Sequence, residues 1–107
     1  MKYDRYMELA REEALKASHT KFRHGCVLIK NGKVIGTGNN TDTNRLKWRT
    51  IHAEEAVIRA NQRYCYGATL IVARIKADCS FGFSLPCARC QRMIEKYGIA
   101  RTYYTTC

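Results

Sequence analysis

The chain has 107 residues, 46% of them hydrophobic and 26% charged, a composition ordinary for a globular protein with one core. It excludes a membrane helix, because no apolar run approaches the ~20 residues such a span requires. Residues 1–10 carry Asp4 and Glu8 where a secretory leader would be apolar, so the expected setting is cytoplasmic. Nineteen basic residues against nine acidic ones leave a net charge of +10, and four of the acids fall in the first thirteen residues. The remainder is strongly positive, a field that attracts phosphate-bearing ligands from mononucleotide to polynucleotide, or serves solubility alone. Six cysteines without a leader suit a metal better than a disulfide scaffold.

The first predicted element is an amphipathic helix over residues 3–17, with Tyr6, Leu9, Ala10, Ala14 and Ala17 at helical spacing. Two short strands follow at residues 26–29 and 34–35, joined by Asn31-Gly32, a strong hairpin signal. The glycines and asparagines of residues 36–40 read as the end of that hairpin and the start of a loop to about Thr50. Thr50 is a plausible N-cap for a helix over residues 51–62. Past Gly67, residues 68–75 form an almost wholly apolar run, as in a strand covered on both faces. After a loop holding Gly82, Pro86 and Cys87 open a helix that runs to about residue 97, with Gly98 as its C-cap. Residues 99–105 read as a last strand. Strands alternating with helices late in the chain imply an α/β sheet with parallel neighbours and packed helices. Ligands of such sheets collect where strand ends meet helix starts.

Two motifs fall at such places: His52-Ala53-Glu54 and Pro86-Cys87-Ala88-Arg89-Cys90. A Cys-x-x-Cys pair at a helix start can aim both sulfurs at one metal, and the positive helix end is expected to lower the thiol pKa values. Zinc accepts two thiolates and an imidazole, and a three-ligand set leaves a fourth position for water, as a catalytic site requires. Glu54, two residues from His52, stands near that position without being a ligand and suits proton transfer. Cys26 and Cys65 read as core residues. Cys79 falls in a probable loop, and Cys107 is the last residue.

His-x-Glu followed by Pro-Cys-x-x-Cys is the signature of zinc nucleobase deaminases, and the chain resembles the cytidine and deoxycytidylate deaminase superfamily from about residue 23 to 105. The resemblance implies a cytidine deaminase-like three-layer α/β fold, with a mixed sheet of about four to five strands and helices on both faces. It makes residues 1–107 a single zinc-dependent deaminase domain in a minimal form, because the sequence stops after the fourth predicted strand. It further implies Zn2+ held by His52, Cys87 and Cys90, Glu54 as the proton shuttle, and substrate contacts from Asn40, the backbone N–H of Ala53, and His24. The Gly36-Thr37-Gly38-Asn39-Asn40 segment is similar to the family's Gly-x-Gly-x-Asn strand end. Family members of this kind associate, so a homo-oligomer, a dimer or higher with a helix-lined apolar interface, is expected.

Some residues depart from the family pattern. His52 points away from the free-nucleoside branch, which places Cys at the first ligand. Ala56 stands where deoxycytidylate deaminases carry Asn, and Ser84-Leu85-Pro86 replaces the common Glu-Pro. The expected activity is hydrolytic removal of the amino group from cytosine in a small nucleotide or nucleoside. A second reading is a deaminase of single-stranded DNA, RNA or transfer RNA, with Trp48, Tyr64 and Tyr66 stacking on bases. A third is a non-catalytic, zinc-stabilised nucleic-acid-binding module, with Cys65 or Cys79 as a fourth ligand.

Overall fold

A computed structural model describes residues 3–17, 23–42 and 50–106. Helix α1 (Asp4–Leu15) leads to the hairpin of β1 (Arg23–Lys30) and β2 (Lys33–Asn39). Thr41–Asp42 (β3) and Thr50–Ile51 (β4) pair as a separate two-stranded ribbon. Then come α2 (Ala53–Ala60), a 3-10 turn at Gln62–Tyr64, β5 (Thr69–Ile75), β6 (Phe81–Gly82), α3 (Ala88–Lys96) and β7 (Arg101–Tyr104). The main sheet is mixed: β1 lies antiparallel between β2 and β5, while β7 runs parallel to β5. No described helix is long and apolar enough to cross a membrane.

The pleat divides each central strand between two cores. Val27 and Ile29 of β1 and Ile71 and Ala73 of β5 face α1, where Ala10, Tyr6, Met7 and Leu9 cover them. Cys26, Leu28, Leu70 and Val72 face the opposite way, onto Val57 and Ile58 of α2 and Ile94 of α3. The result is the expected three layers, with helices on both faces of a five-stranded sheet. Cys26 and Cys65 are core residues, both fully buried.

Several boundaries differ from expectation. At the hairpin, Asn31 and Gly32 both take positive φ, 53° and 75°, the type I′ turn whose twist matches the strands. Yet β2 continues through Gly36 and Gly38 instead of ending there. Helix α2 lies directly on it: a Cβ at Gly38 would sit 3.0 Å from Ala53 O and 3.1 Å from Val57 N. The glycines let a helix approach the strand and do not break it. Thr50 is not an N-cap, because its backbone pairs with Asp42 in the ribbon and α2 begins at Ala53. That helix ends at Ala60, two residues short, and the chain tightens into the 3-10 turn. The loop around Gly82 contains β6, which extends the β5 edge beyond β7 by pairing with Arg74 and Ile75.

The other close approach is at Gly25 of β1, where a Cβ would overlap the backbone of α1 at Ala10 O and Ala14 N. Both colliding groups are main chain, so no rotamer change relieves the clash. Gly25→Ala is expected to force α1 off the sheet and to destabilise the fold by about 2–3 kcal/mol, a fall in Tm of about 10 °C or more. Calorimetry showing an unchanged Tm would mean that α1 does not rest on β1 as described.

Candidate metal centre

His52 follows β4 and occupies the N-cap position of α2 with an extended backbone, φ −70° and ψ 151°. Cys87 occupies the same position on α3, with φ −67° and ψ 167°. Neither makes a side-chain capping hydrogen bond. A Ser, Thr, Asp or Asn at each would stabilise its helix by ~1 kcal/mol. Buried aliphatic side chains contribute ~1.5–3 kcal/mol apiece, so Val57, Ile58 and Ile94 hold the helices in place without caps. Both N-cap positions are thereby available for other chemistry.

The two helix starts lie side by side, and their side chains converge. Nδ1 of His52 is 3.6 Å from Cys87 Sγ and 3.4 Å from Cys90 Sγ. All three donor atoms fall within 4.8 Å of one another, and no other group of three His, Cys, Asp or Glu residues does so among the described residues. Zinc bonds of ~2.3 Å to sulfur and ~2.0–2.1 Å to nitrogen at tetrahedral angles put those atoms ~3.6 Å apart. The set is compatible with Zn2+. Cys90 is buried, His52 half-buried and Cys87 exposed, so the centre reaches the surface on the Cys87 side.

The expected lowering of the thiol pKa by the helix end does not hold for Cys90. Burial, reinforced by the Glu54 carboxylate and by Cys87, pushes this thiol well above its ordinary value, and Arg89 offsets only part of that. Ionising Cys90 therefore calls for a cation at the sulfur itself.

Glu54, the second residue of α2, is 4% exposed, and its carboxyl is not part of the converging trio. Desolvation raises its pKa, partly countered by a hydrogen bond from its own backbone N–H. Behind it the thiol of Cys26 on β1 points at Oε1 from 4.0 Å.

The expected substrate contacts form a second group. Asn40 is buried, its Oδ1 accepting the His24 N–H at 2.8 Å while its own N–H donates to His24 O at 3.3 Å. The strand end and the start of β1 are thus one locked unit. Thr41 pairs with Ile51, so the next step of that ribbon runs toward Asn40 and His52. Ala53 is buried as the first residue of α2, where a backbone N–H lies outside the helix's own ladder. The His24 side chain is half-buried. Tyr64 and Tyr66 are exposed, whereas Trp48 lies outside the described residues. Neither Cys65 nor Cys79 joins the trio: the Cys65 thiol donates to Asn61 O, and Cys79 is exposed in the turn before β6.

One support was missed in the sequence. Ser84 is buried between exposed Phe83 and Leu85, and its backbone N–H donates to Thr105 O at 2.9 Å. Its hydroxyl accepts from Thr105 N–H at 2.7 Å and donates to Val72 O at 2.9 Å. This ties the segment leading to Cys87 to β5 and to the end of β7. The only sequence signal was a small hydroxyl residue between two apolar ones.

A family model for the cytidine and deoxycytidylate deaminase zinc-binding region matches residues 1–106. The fold is similar to that of the dCMP deaminase of cyanophage S-TIM5 solved with dCMP and dUMP, at 19% identity and TM-score 0.72, over 94% of this chain and 78% of that one. It is also similar to cytidine deaminase from Mycobacterium tuberculosis, at 25% identity and TM-score 0.62, over 92% and 80% of the two chains. RibD from Acinetobacter baumannii, form 1, aligns with 98% of this chain at 24% identity and TM-score 0.67, but with 28% of its own length. No curated protein matches the sequence.

Ser84→Ala leaves the Thr105 N–H and the Val72 carbonyl without this partner. Those two groups keep each other as partners at 3.2 Å, so the expected loss of stability is about 0.5–1.5 kcal/mol, read as a lower urea midpoint, with metal lost to a chelator faster than from the parent. A variant with the parent's midpoint and chelator resistance would show that the hydroxyl does not anchor this segment.

Proposed function

This chain belongs to the cytidine and deoxycytidylate deaminase family, and from that premise we propose that it is a zinc-dependent hydrolase converting the cytosine of a small CMP- or dCMP-type nucleotide or nucleoside to uracil, with release of ammonia. The observation that carries this reading is the convergence of His52 Nδ1, Cys87 Sγ and Cys90 Sγ at tetrahedral spacing, with the buried Glu54 beside them. His52, Cys87 and Cys90 hold the metal. Bound there, the cation would supply Lewis acidity for activating water.

The chain's own groups do the rest. Glu54 takes one proton of the attacking water and delivers it to the ring nitrogen; it then takes the second, from the hydroxyl newly bonded to the ring carbon, and passes it to the amino group, which leaves as ammonia as the carbonyl forms. Burial suits it to that exchange, because desolvation raises its pKa above the ordinary carboxyl value and so helps it hold each proton between transfers. The Ala53 N–H faces the base carbonyl, and Asn40 and His24, already tied together, border the sugar or base. A nucleotide in preference to a bare base agrees with the net charge of +10 and with the ligands named for the cyanophage enzyme.

The second reading, a deaminase of single strands or transfer RNA, is favoured by the exposure of Tyr64 and Tyr66. The non-catalytic reading has less support, because no fourth protein ligand stands at the trio among the described residues. Self-association belongs to the proposal, and exposed Phe83, Leu85 and Tyr104 offer apolar surface for it.

The purified protein is expected to carry about one zinc per chain. His52→Ala, Cys87→Ser and Cys90→Ser should each lose zinc and stability together, because metal binding and folding are coupled. Elemental analysis showing full occupancy in all three variants would remove the ligand assignment.

Glu54→Gln separates catalysis from folding. The amide keeps the size of the side chain but cannot accept a proton. Zinc content and Tm should stay near those of the parent, while turnover of the best substrate falls by ~10²- to 10⁴-fold or more. If Glu54 merely favoured the helix dipole, worth ~0.3–1 kcal/mol, stability would drop slightly and turnover would persist. Ammonia release above about a tenth of the parent rate lies outside the general acid–base range and would exclude the mechanism.

A further inference from the structure

On the outer side of the helix pair, Glu55, Arg59, Arg89, Arg92, Lys96 and Tyr97 line a cleft of about 430 Å³ between α2 and α3. A neighbouring hollow shares Arg59 and Gln62 with it and continues past Arg63 and Tyr64. The path therefore carries five cations and one carboxylate. That carboxylate is already committed: Glu55 Oε2 pairs with Arg59 at 2.8 Å, and Oε1 with Arg89 at 3.1 Å. Glu55 is 5% exposed, whereas Arg59 and Arg89 are 59% and 54% exposed. A buried acid thus fixes one guanidinium from each helix, and their remaining N–H groups stay accessible to a ligand. Arg92 and Lys96 add two further cations on the same face of α3, with no ion pair to either among the described residues.

Cations crowded into one cleft repel each other, and Glu55 is the one carboxylate among the residues that line it. An anion relieves that repulsion. The run from Arg89 to Lys96 covers about 10 Å of helix axis, longer than a single phosphate group, and Arg63 extends it. A two-fold contact between copies of the chain over this cleft would set Arg92 and Lys96 against their own equivalents, which disfavours self-association here. Aromatic surfaces lie alongside. Tyr64 is 47% exposed at the rim, and Tyr66 is 79% exposed with its ring over Gly98, next to Tyr97 of the cleft.

We propose that this path seats the phosphodiester backbone of a single-stranded nucleic acid, with bases stacking on Tyr64 and Tyr66. Duplexes hide their base faces and cannot use those rings. The surface shares no residue with the metal trio, although Arg89 lies between Cys87 and Cys90, and the proposal does not depend on which compound is deaminated there.

The test is direct binding, measured without turnover. Zinc-loaded protein is titrated against a fluorescent single strand of about 16 nucleotides, over a range of salt concentrations, by anisotropy. The expected slope of log affinity against log salt is about −2 to −3.5, from three to five phosphate contacts at ~0.7 each. Arg92→Gln with Lys96→Gln should make that slope shallower by about 1.4. Arg63→Gln, at the far end, should remove about 0.7. Arg5→Gln on α1 with Lys16→Gln at its C-cap, across the sheet, removes the same charge as the cleft pair and should weaken binding far less. Unfolding curves and zinc content of each variant establish that it is folded.

Equal losses in the cleft and α1 pairs would reduce the effect to net charge and overturn the proposal. So would a slope unchanged by both cleft variants, or a duplex of equal length binding as tightly as the strand. A nucleoside triphosphate displacing the strand as well as unlabelled strand does, at equal phosphate, would make this a mononucleotide site instead. Sedimentation in which the cleft substitutions dissolve a dimer without loss of strand binding would make it an interface between copies.

Discussion

Three donor atoms, His52 Nδ1 and the sulfurs of Cys87 and Cys90, converge within 4.8 Å of one another, and the two nitrogen–sulfur distances match edges of a coordination tetrahedron. That spacing demands two helices beginning at the same place, although 34 residues separate the first donor from the second. The sheet meets the demand. Helix α2 lies on β2 where Gly38 has no side chain, and α3 packs beside it on the same apolar face through Ile94. The segment before α3 is tied to β5 and the end of β7 through Ser84 and Thr105. Packing on the sheet thus serves chemistry at its end, and caps that would have stabilised each helix give way to donors.

Adjacent acids on α2 show how orientation divides work. Glu54 and Glu55 are both 4% exposed, but successive residues on a helix point about 100° apart. Glu54 turns toward the metal trio and the Cys26 thiol, where desolvation favours its protonated form. Glu55 turns outward between Arg59 and Arg89, its two ion-pair partners. A protonatable group and a charge anchor therefore occupy one helical turn without competing. The same division separates the converging metal-site donors from the cationic cleft.

The balance at Cys90 follows from the same geometry. Burial between two helices places the sulfur well for coordination and makes its thiolate costly. The helix dipole is worth ~0.3–1 kcal/mol, too little against desolvation of a buried charge. Metal binding and deprotonation at this residue are accordingly one event, which links the integrity of the site to that of the helix start.

Much of this was legible in the sequence. The hairpin followed from Asn31-Gly32, α1 from its helical spacing, α3 from Pro86 and Gly98 at its ends, β5 from its apolar run, and the family from His52, Glu54 and the Pro86 to Cys90 motif. Those features are local, carried by residues a few positions apart. What the sequence could not place depended on partners far along the chain. Gly36 and Gly38 looked like loop residues, because only the arrival of α2 explains glycine inside β2. Thr50 looked like a cap, because its pairing with Asp42 is invisible without the ribbon. Ser84 had no recognisable role until Thr105 and Val72 stood beside it. Residue type and short-range spacing thus determined the elements and the chemistry they carry. Tertiary structure alone decided where strands end, which acid meets the metal trio and which meets arginine, because close approach and burial are properties of two segments and not of one.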